Sequence, residues 1–187
     1  MRIAFVVFNG MTTLDFLGVF DPLTRLRTMG FRQDVKWKIC GLAPTVRDGA
    51  GLILQVEEIN RPLASYDLIV VPGGFSAREL ETDPQFLAWL QTAASVPWKA
   101  SVCTGSLLLG AAGMLAGCRA TTHPSAYERL AAYCREVSHE RVVEDAQVIT
   151  ARGVTSSIDL GLYLVAKFGD PRIRELIRRQ MDYRQDE

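Results

Sequence analysis

Neither sign of charge predominates in this chain: 21 Lys and Arg balance 21 Asp and Glu, for a formal net charge of zero. A nucleic-acid partner needs a concentrated positive surface, so no nucleic acid is expected, although overall balance leaves room for a local basic patch. The four cysteines, Cys40, Cys103, Cys118 and Cys134, form no C-x-x-C pair, which removes the usual zinc spacing. No apolar run is long enough to span a bilayer, so no membrane is expected as a partner. The opening "MRIAFVVFNG" has too short an apolar core for a secretory signal and no small-residue cleavage site. The expected compartment is therefore the cytoplasm, where thiols stay reduced. Repeats, low-complexity tracts, interdomain linkers, metal-ligand clusters and Gly-rich phosphate loops are also missing.

What is present is an ordinary globular composition. The 187 residues are 48% apolar and 22% charged, enough for one domain over 1–187 to bury its own core. Residues 2–8 are β-branched and aromatic and end at Asn9-Gly10, the pattern of a central parallel strand. Apolar residues from Leu14 to Leu26 then recur at near-helical spacing up to Gly30, with Pro22 expected to kink or split that helix. Residues 35–42 and 52–56 read as strands, the second at an edge, with "APTVRDGAG" as a turn-rich connection between them. "DLIVVPGG" is a strand entering a Gly-Gly turn, and 99–103 is a short strand. Helices are expected over 84–94, 104–115, 125–134, 154–168 and 171–181, with a strand pair around Glu144–Ala146. Alternation of this kind gives an α/β fold, a mostly parallel sheet with helices on both faces. Ligands in such sheets bind beyond the carboxyl ends of the strands, so "FNGMTTLD", "VPGGFS" and "VCTGS" should converge.

One cysteine stands at that rim. Cys103 falls between a strand and a small-residue helix, where unpaired N–H groups and the helix dipole favour a thiolate. The N–H of Thr104 and the Gly73-Gly74 backbone are candidate donors to a developing negative charge. Cysteine is also a common small core residue, and position alone does not separate the two readings. Cys40, Cys118 and Cys134 read as core. Asp15 opens the helix after the first strand, either as a first-turn carboxylate or as a partner of Cys103. A charged carboxylate would repel a thiolate, so the pair works better when Asp15 holds a proton. His123, followed by Pro124, has two readings, a base or, favoured over it, a structural residue, and His139 in "VSHER" reads as exposed. Ser156 and Ser157 are candidate helix caps.

Together "FNGMTTLDFLGVFDPL", "VPGG", "VCTGSLLLGAAGMLAGCRATTH" and "RGVTSSIDLGLYLVAKFGD" resemble the ThiJ/PfpI superfamily, which is class I glutamine amidotransferase-like. Within it, "LD" after the first strand and "CTG" at the elbow are most similar to isonitrile hydratases and to sensor domains of AraC-type regulators. The resemblance implies a flavodoxin-like sandwich, a homodimer, a small-molecule substrate and no cofactor. It implies Cys103 as nucleophile, Asp15 as its carboxylic partner, Thr104 as a polar neighbour, and Gly73 and Gly74 on the oxyanion side. Protease-like members have a histidine where this chain has Thr104, which speaks against peptidase activity. The deglycase branch has a glutamate where this chain has Asp15, and Pro124 replaces the Trp of "TTHW". Arg152 and Ser157 stand where hydratases carry small residues. The expected reaction is hydration of an isonitrile to a formamide through a Cys103 thioimidate. A glyoxalase- or hydrolase-type thiol enzyme, or a redox or ligand sensor, are its rivals. The final "RIRELIRRQMDYRQDE" reads as a mixed-charge helix, solvated or dimer-packing rather than DNA-binding.

Overall fold

The computed structural model describes residues 1–184. Its main sheet has seven strands, introduced here in chain order with the smaller ones: β1 Arg2–Val6, β2 Lys36–Gly41, β3 Thr45–Arg47, β4 Ile53–Gln55, β5 Glu58–Ile59, β6 Leu68–Val71, β7 Trp98–Val102, β8 Arg119–Ala120, β9 Glu136–Val137, β10 Val142–Asp145 and β11 Val148–Ala151. The sheet order is β10-β11-β7-β6-β1-β2-β5. All neighbours are parallel except the β10–β11 hairpin at one edge. The five central strands thus run in the 2-1-3-4-5 order of a flavodoxin-like sheet. "LIVV" in β6 and "VITA" in β11 are buried along their whole length. That follows from a sheet covered on both faces, where no position of a central strand meets water.

The helices are α1 Thr13–Thr28, α2 Ala77–Leu80, α3 Pro84–Gln91, α4 Gly105–Ala111, α5 Tyr127–Leu130, α6 Ser156–Phe168 and α7 Pro171–Gln180. They pack in two groups, α1 with α6 and α7, and α4 with α2, α3 and α5. Phe16, Val19, Leu23 and Leu26 place a buried stripe along α1 at helical spacing. Pro22 does not split this helix, which runs unbroken through it. The lost N–H frees the Gly18 carbonyl, and that carbonyl faces Gly161 of α6. A Cβ on Gly161 would stand 2.3 Å from Pro22 Cγ and 2.8 Å from the Gly18 oxygen. The proline is thus accommodated at a helix crossing where the partner has no side chain.

Other departures from expectation lie in short elements. The stretch 43–51 contains β3, which pairs with β4 in a ribbon outside the main sheet. Asp48 Oδ1 closes that ribbon by accepting from the N–H groups of Ala50 and Leu52, each at 2.8 Å. Two-residue β5 takes the sheet edge instead. β8 pairs with β9 in a separate two-stranded piece. The helix after Cys103 stops at Ala111, before the left-handed turns at Gly113 and Gly117. The 125–134 helix is only a 3₁₀ turn, Pro124–Ala126, followed by one turn of α5. Among the described residues no helix is long and apolar enough to cross a membrane. The last three residues of the C-terminal stretch, 185–187, lie outside the described residues.

Gly161→Ala inserts a methyl group into the α1–α6 crossing. It is expected to lower stability by about 1–3 kcal/mol, read as a shift of the urea midpoint at unchanged slope.

Candidate active site

β7 ends at Val102, and the chain turns at Cys103 with φ +55 before α4 begins. A non-glycine residue in this left-handed region is held there against a local cost of about 1–3 kcal/mol. Three hydrogen bonds hold it. The Cys103 N–H donates to the Ala151 carbonyl at 3.0 Å, extending the β7–β11 pairing. The Cys103 carbonyl accepts from the hydroxyls of Thr122 at 2.9 Å and Ser106 at 3.2 Å. The loop after β6 presses against the same turn. A Cβ on Gly73 would lie 2.5 Å from the Thr104 nitrogen and 2.8 Å from Cys103 Cβ, so only glycine permits this approach. The three segments expected to converge at the sheet rim do so.

Asp15, in the first turn of α1, is fully buried beside this elbow. Its Oδ2 accepts the Gly73 N–H at 3.0 Å, while Oδ1 is buried without a hydrogen-bond partner. Burial raises the carboxyl to about 7, against the opposing effects of the Gly73 N–H and the Cys103 side chain. The Cys103 thiol is pushed up to about 12, first by burial and then by the Asp15 charge. The Thr104 N–H opposes this by favouring the charged sulfur. The helix-terminus argument for a resting thiolate is therefore corrected. Cys103 is only 6% exposed, and desolvation together with a neighbouring carboxyl outweighs a seven-residue helix. The resting pair is a thiol with a carboxyl that readily keeps its proton.

The glycine donors are corrected as well. The Gly73 N–H is engaged by Asp15, and the Gly74 N–H donates to Thr104 Oγ1 at 2.9 Å. That hydroxyl lies 3.0 Å from the Gly74 carbonyl, to which it donates. Gly73 and Gly74 thus build the site by position, and Thr104 ties their loop to the elbow. The Thr104 N–H is the backbone donor that acts on the sulfur.

A cleft of about 140 Å³ opens above Cys103 and Thr104. Thr12, Gly74 and Val154 line it, together with Phe75, Arg78, His123 and Ser125. His123, read from the sequence as structural, is thus part of the wall. Its Nδ1 lies 2.8 Å from Ser125 Oγ and accepts the Ser125 N–H at 3.2 Å. Arg78 donates to the same Ser125 oxygen at 3.1 Å, which turns the hydroxyl proton toward Nδ1. This network assigns the His123 proton to Nε2. Phe75 belongs to the "VPGGFS" segment expected at the rim, but Arg78 lies in no motif and carried no sequence signal.

The remaining candidates lie elsewhere. His139 is exposed and stacks on Tyr127, ring centroids 4.5 Å apart. Ser156 and Ser157 do not cap α6; the cap position is Thr155, and Ser157 Oγ donates to the Val154 carbonyl at 2.7 Å. Arg152 reaches the His139 carbonyl and does not line the cleft. Cys40 is buried and its thiol is raised to about 11 by burial, as a core cysteine should be. Cys118 and Cys134 are half-buried, less enclosed than expected. A larger groove of about 970 Å³ beside α6 and α7, lined by Arg141, Asp159 and Tyr183 among others, contains none of the elbow residues.

A strained cysteine turn on a flavodoxin-like sheet, backed by a buried carboxyl, defines an α/β protein with its thiol at a strand-to-helix elbow. Residues 1–167 match the DJ-1/PfpI family, and the chain belongs to it. It is similar to isonitrile hydratase of Pseudomonas putida, 34% identical over 184 residues that cover 98% of this chain and 78% of that protein. The crystal structure of a ThiJ/PfpI family protein from Pseudomonas syringae superposes with a TM-score of 0.88 at 31% identity, covering 100% of this chain and 76% of that one. The HTH-type transcriptional regulator CdhR of Pseudomonas aeruginosa is 27% identical over 180 residues, 94% of this chain but 53% of the regulator.

The folded protein keeps the Asp15 proton up to about pH 7, whereas an unfolded aspartate releases it near about 4. Stability from this source is full below the unfolded value and is lost as pH rises through the folded one. The stability difference between wild type and Asp15→Asn should therefore move against wild type between about pH 4 and 7.5 in urea titrations. A pH-independent difference would contradict a buried, protonated carboxyl.

Proposed function

We propose that the protein is a cysteine-dependent hydratase that adds water to an isonitrile and releases an N-substituted formamide. The observation that carries this reading is the Asp15–Cys103 pair, in which a buried carboxyl keeps a proton near neutrality beside a thiol. An isonitrile carbon must gain both a nucleophile and a proton at one atom, and this pair offers both. Sulfur attacks the carbon, Asp15 delivers its proton to that carbon, and the thiol proton passes to the Asp15 carboxylate. The product of this step is a covalent thioimidate with a neutral site. Water then adds across the carbon–nitrogen double bond, its oxygen to carbon and one proton to nitrogen. Collapse of the tetrahedral adduct breaks the carbon–sulfur bond, and the remaining hydroxyl proton returns to sulfur. The Thr104 N–H stabilises the sulfur whenever it carries charge. His123, as an Nε2–H donor in the cleft wall, is suited to holding the incoming water. The scheme calls on no cofactor. The 34% identity to an isonitrile hydratase supports it.

The likeness to CdhR supports a second reading, a ligand sensor that uses the same cleft without turnover. A homodimer fits the exposed apolar side chains Leu14 and Leu17 on α1 and Leu52 and Ile53 on the adjoining ribbon. The Thr13–Asp48 hydrogen bond at 2.6 Å joins these two elements. A cytoplasmic location belongs to the same proposal, since it keeps Cys103 reduced.

Purified protein mixed with an alkyl isonitrile should yield the formamide, with activity falling to background in Cys103→Ala and by about 10²–10⁴-fold in Asp15→Asn. The rate should decline as pH rises through about 7, as Asp15 loses its proton. Formamide production undiminished in Cys103→Ala would exclude the thioimidate. Turnover of dicarbonyls alone would favour a glyoxalase-type activity, and no turnover of either class would favour the sensor. Sedimentation should give twice the chain mass, and Leu17→Glu should shift it to the monomer.

A further inference from the structure

We infer that Arg78 makes the Cys103 cleft a receptor for a small carboxylate-bearing electrophile, so that the preferred substrate is a short isonitrile acid. The inference rests on the hydratase reading for the reaction and on the cleft alone for the charge. Arg78 and Cys103 line one cavity of about 140 Å³. Cavities of about 150 Å³ admit benzene, so both groups reach a ligand of that size. Among the described residues Arg78 enters no ion pair, and its one side-chain hydrogen bond goes to the neutral Ser125 hydroxyl. The nearby cation Arg129 is already neutralised by Glu81, a buried carboxylate on the turn after α2.

Among the described residues the cleft therefore carries one uncompensated guanidinium, and no acidic side chain lines it. A guanidinium recognises a carboxylate through paired N–H groups, and the bond is charge-assisted. Arg78 still has free N–H groups after serving Ser125, and it is only partly exposed, which limits screening. His123 and Ser125 stand in the same wall. Phe75, 84% exposed at the rim, closes one side with an apolar face. Isocyanoacetate has the required chemistry: an isonitrile carbon at one end and a carboxylate at the other.

The test compares alkylation of Cys103 by iodoacetate and iodoacetamide, followed by peptide mass. In both reagents sulfur displaces iodide from the same carbon, and the two differ chiefly in charge, so their rate ratio cancels the thiolate fraction. The wild-type ratio of iodoacetate to iodoacetamide should exceed that of the unfolded chain. It should fall about tenfold in Arg78→Gln and stay within about threefold in Arg78→Lys. A ratio unchanged in Arg78→Gln overturns the inference, as does a Cys103 that accepts neither reagent. Hydration of isocyanoacetate and of its methyl ester is then measured on the same proteins. If the alkylation ratio responds as stated and neither isonitrile turns over, the hydratase reading fails and the carboxylate assignment stands. If the ester is hydrated at least as well as the acid by wild type, the reaction stands and the acid preference falls.

Discussion

The site depends on one backbone angle, the left-handed φ of Cys103. A cysteine continuing the line of β7 would point into one face of a doubly covered sheet and meet only side chains. Turning the chain at that residue lifts the sulfur over the sheet rim and starts α4 immediately behind it. The conformation is unfavourable alone, so neighbours must hold it. Ala151 from the next strand, the hydroxyls of Thr122 and Ser106, and the glycine loop after β6 do so from several directions.

The same crowding sets the electrostatics. Bringing Gly73 against Thr104 closes the site enough to exclude water from Asp15, and the loss of hydration is the main reason its carboxyl keeps a proton. That proton removes the repulsion a carboxylate would exert on a charged sulfur. Packing and acid–base character therefore have one origin: an elbow open enough for solvent to ionise Asp15 would also lose the donor placed beside the thiol. The Gly74 N–H, a free donor on paper, is consumed in holding the loop shut through Thr104. The open side of the site is the cleft bounded by Phe75, Arg78 and His123.

Much of the architecture was legible because buried parallel strands must be apolar throughout. The runs at β1 and β6 showed this directly, and "VPGG" and "VCTG" marked the turns that follow β6 and β7. The short pieces were not legible. β3, β5 and β9 have two or three residues each, too few for a period, and their pairing is fixed by partners distant in the chain. That Pro22 would not split its helix was hidden for a related reason: the absent side chain of Gly161 in α6, far along the chain, makes room for it. The place of His123 in the cleft wall was not legible, because its contact with Ser125 and the approach of Arg78 follow from no local pattern.

The sequence by itself determined which residues could do chemistry: one cysteine at a strand-to-helix junction, one aspartate after the first strand, and glycines where chains must approach. These are properties of residue type and local order. Only the tertiary structure decided their ionisation, which N–H groups remained available, and which side chains walled the cleft. Protonation depends on how much water the whole fold removes from a group, and a donor counts as free only after every neighbour has been placed. Those quantities belong to the packed molecule, and no segment of the chain holds them alone.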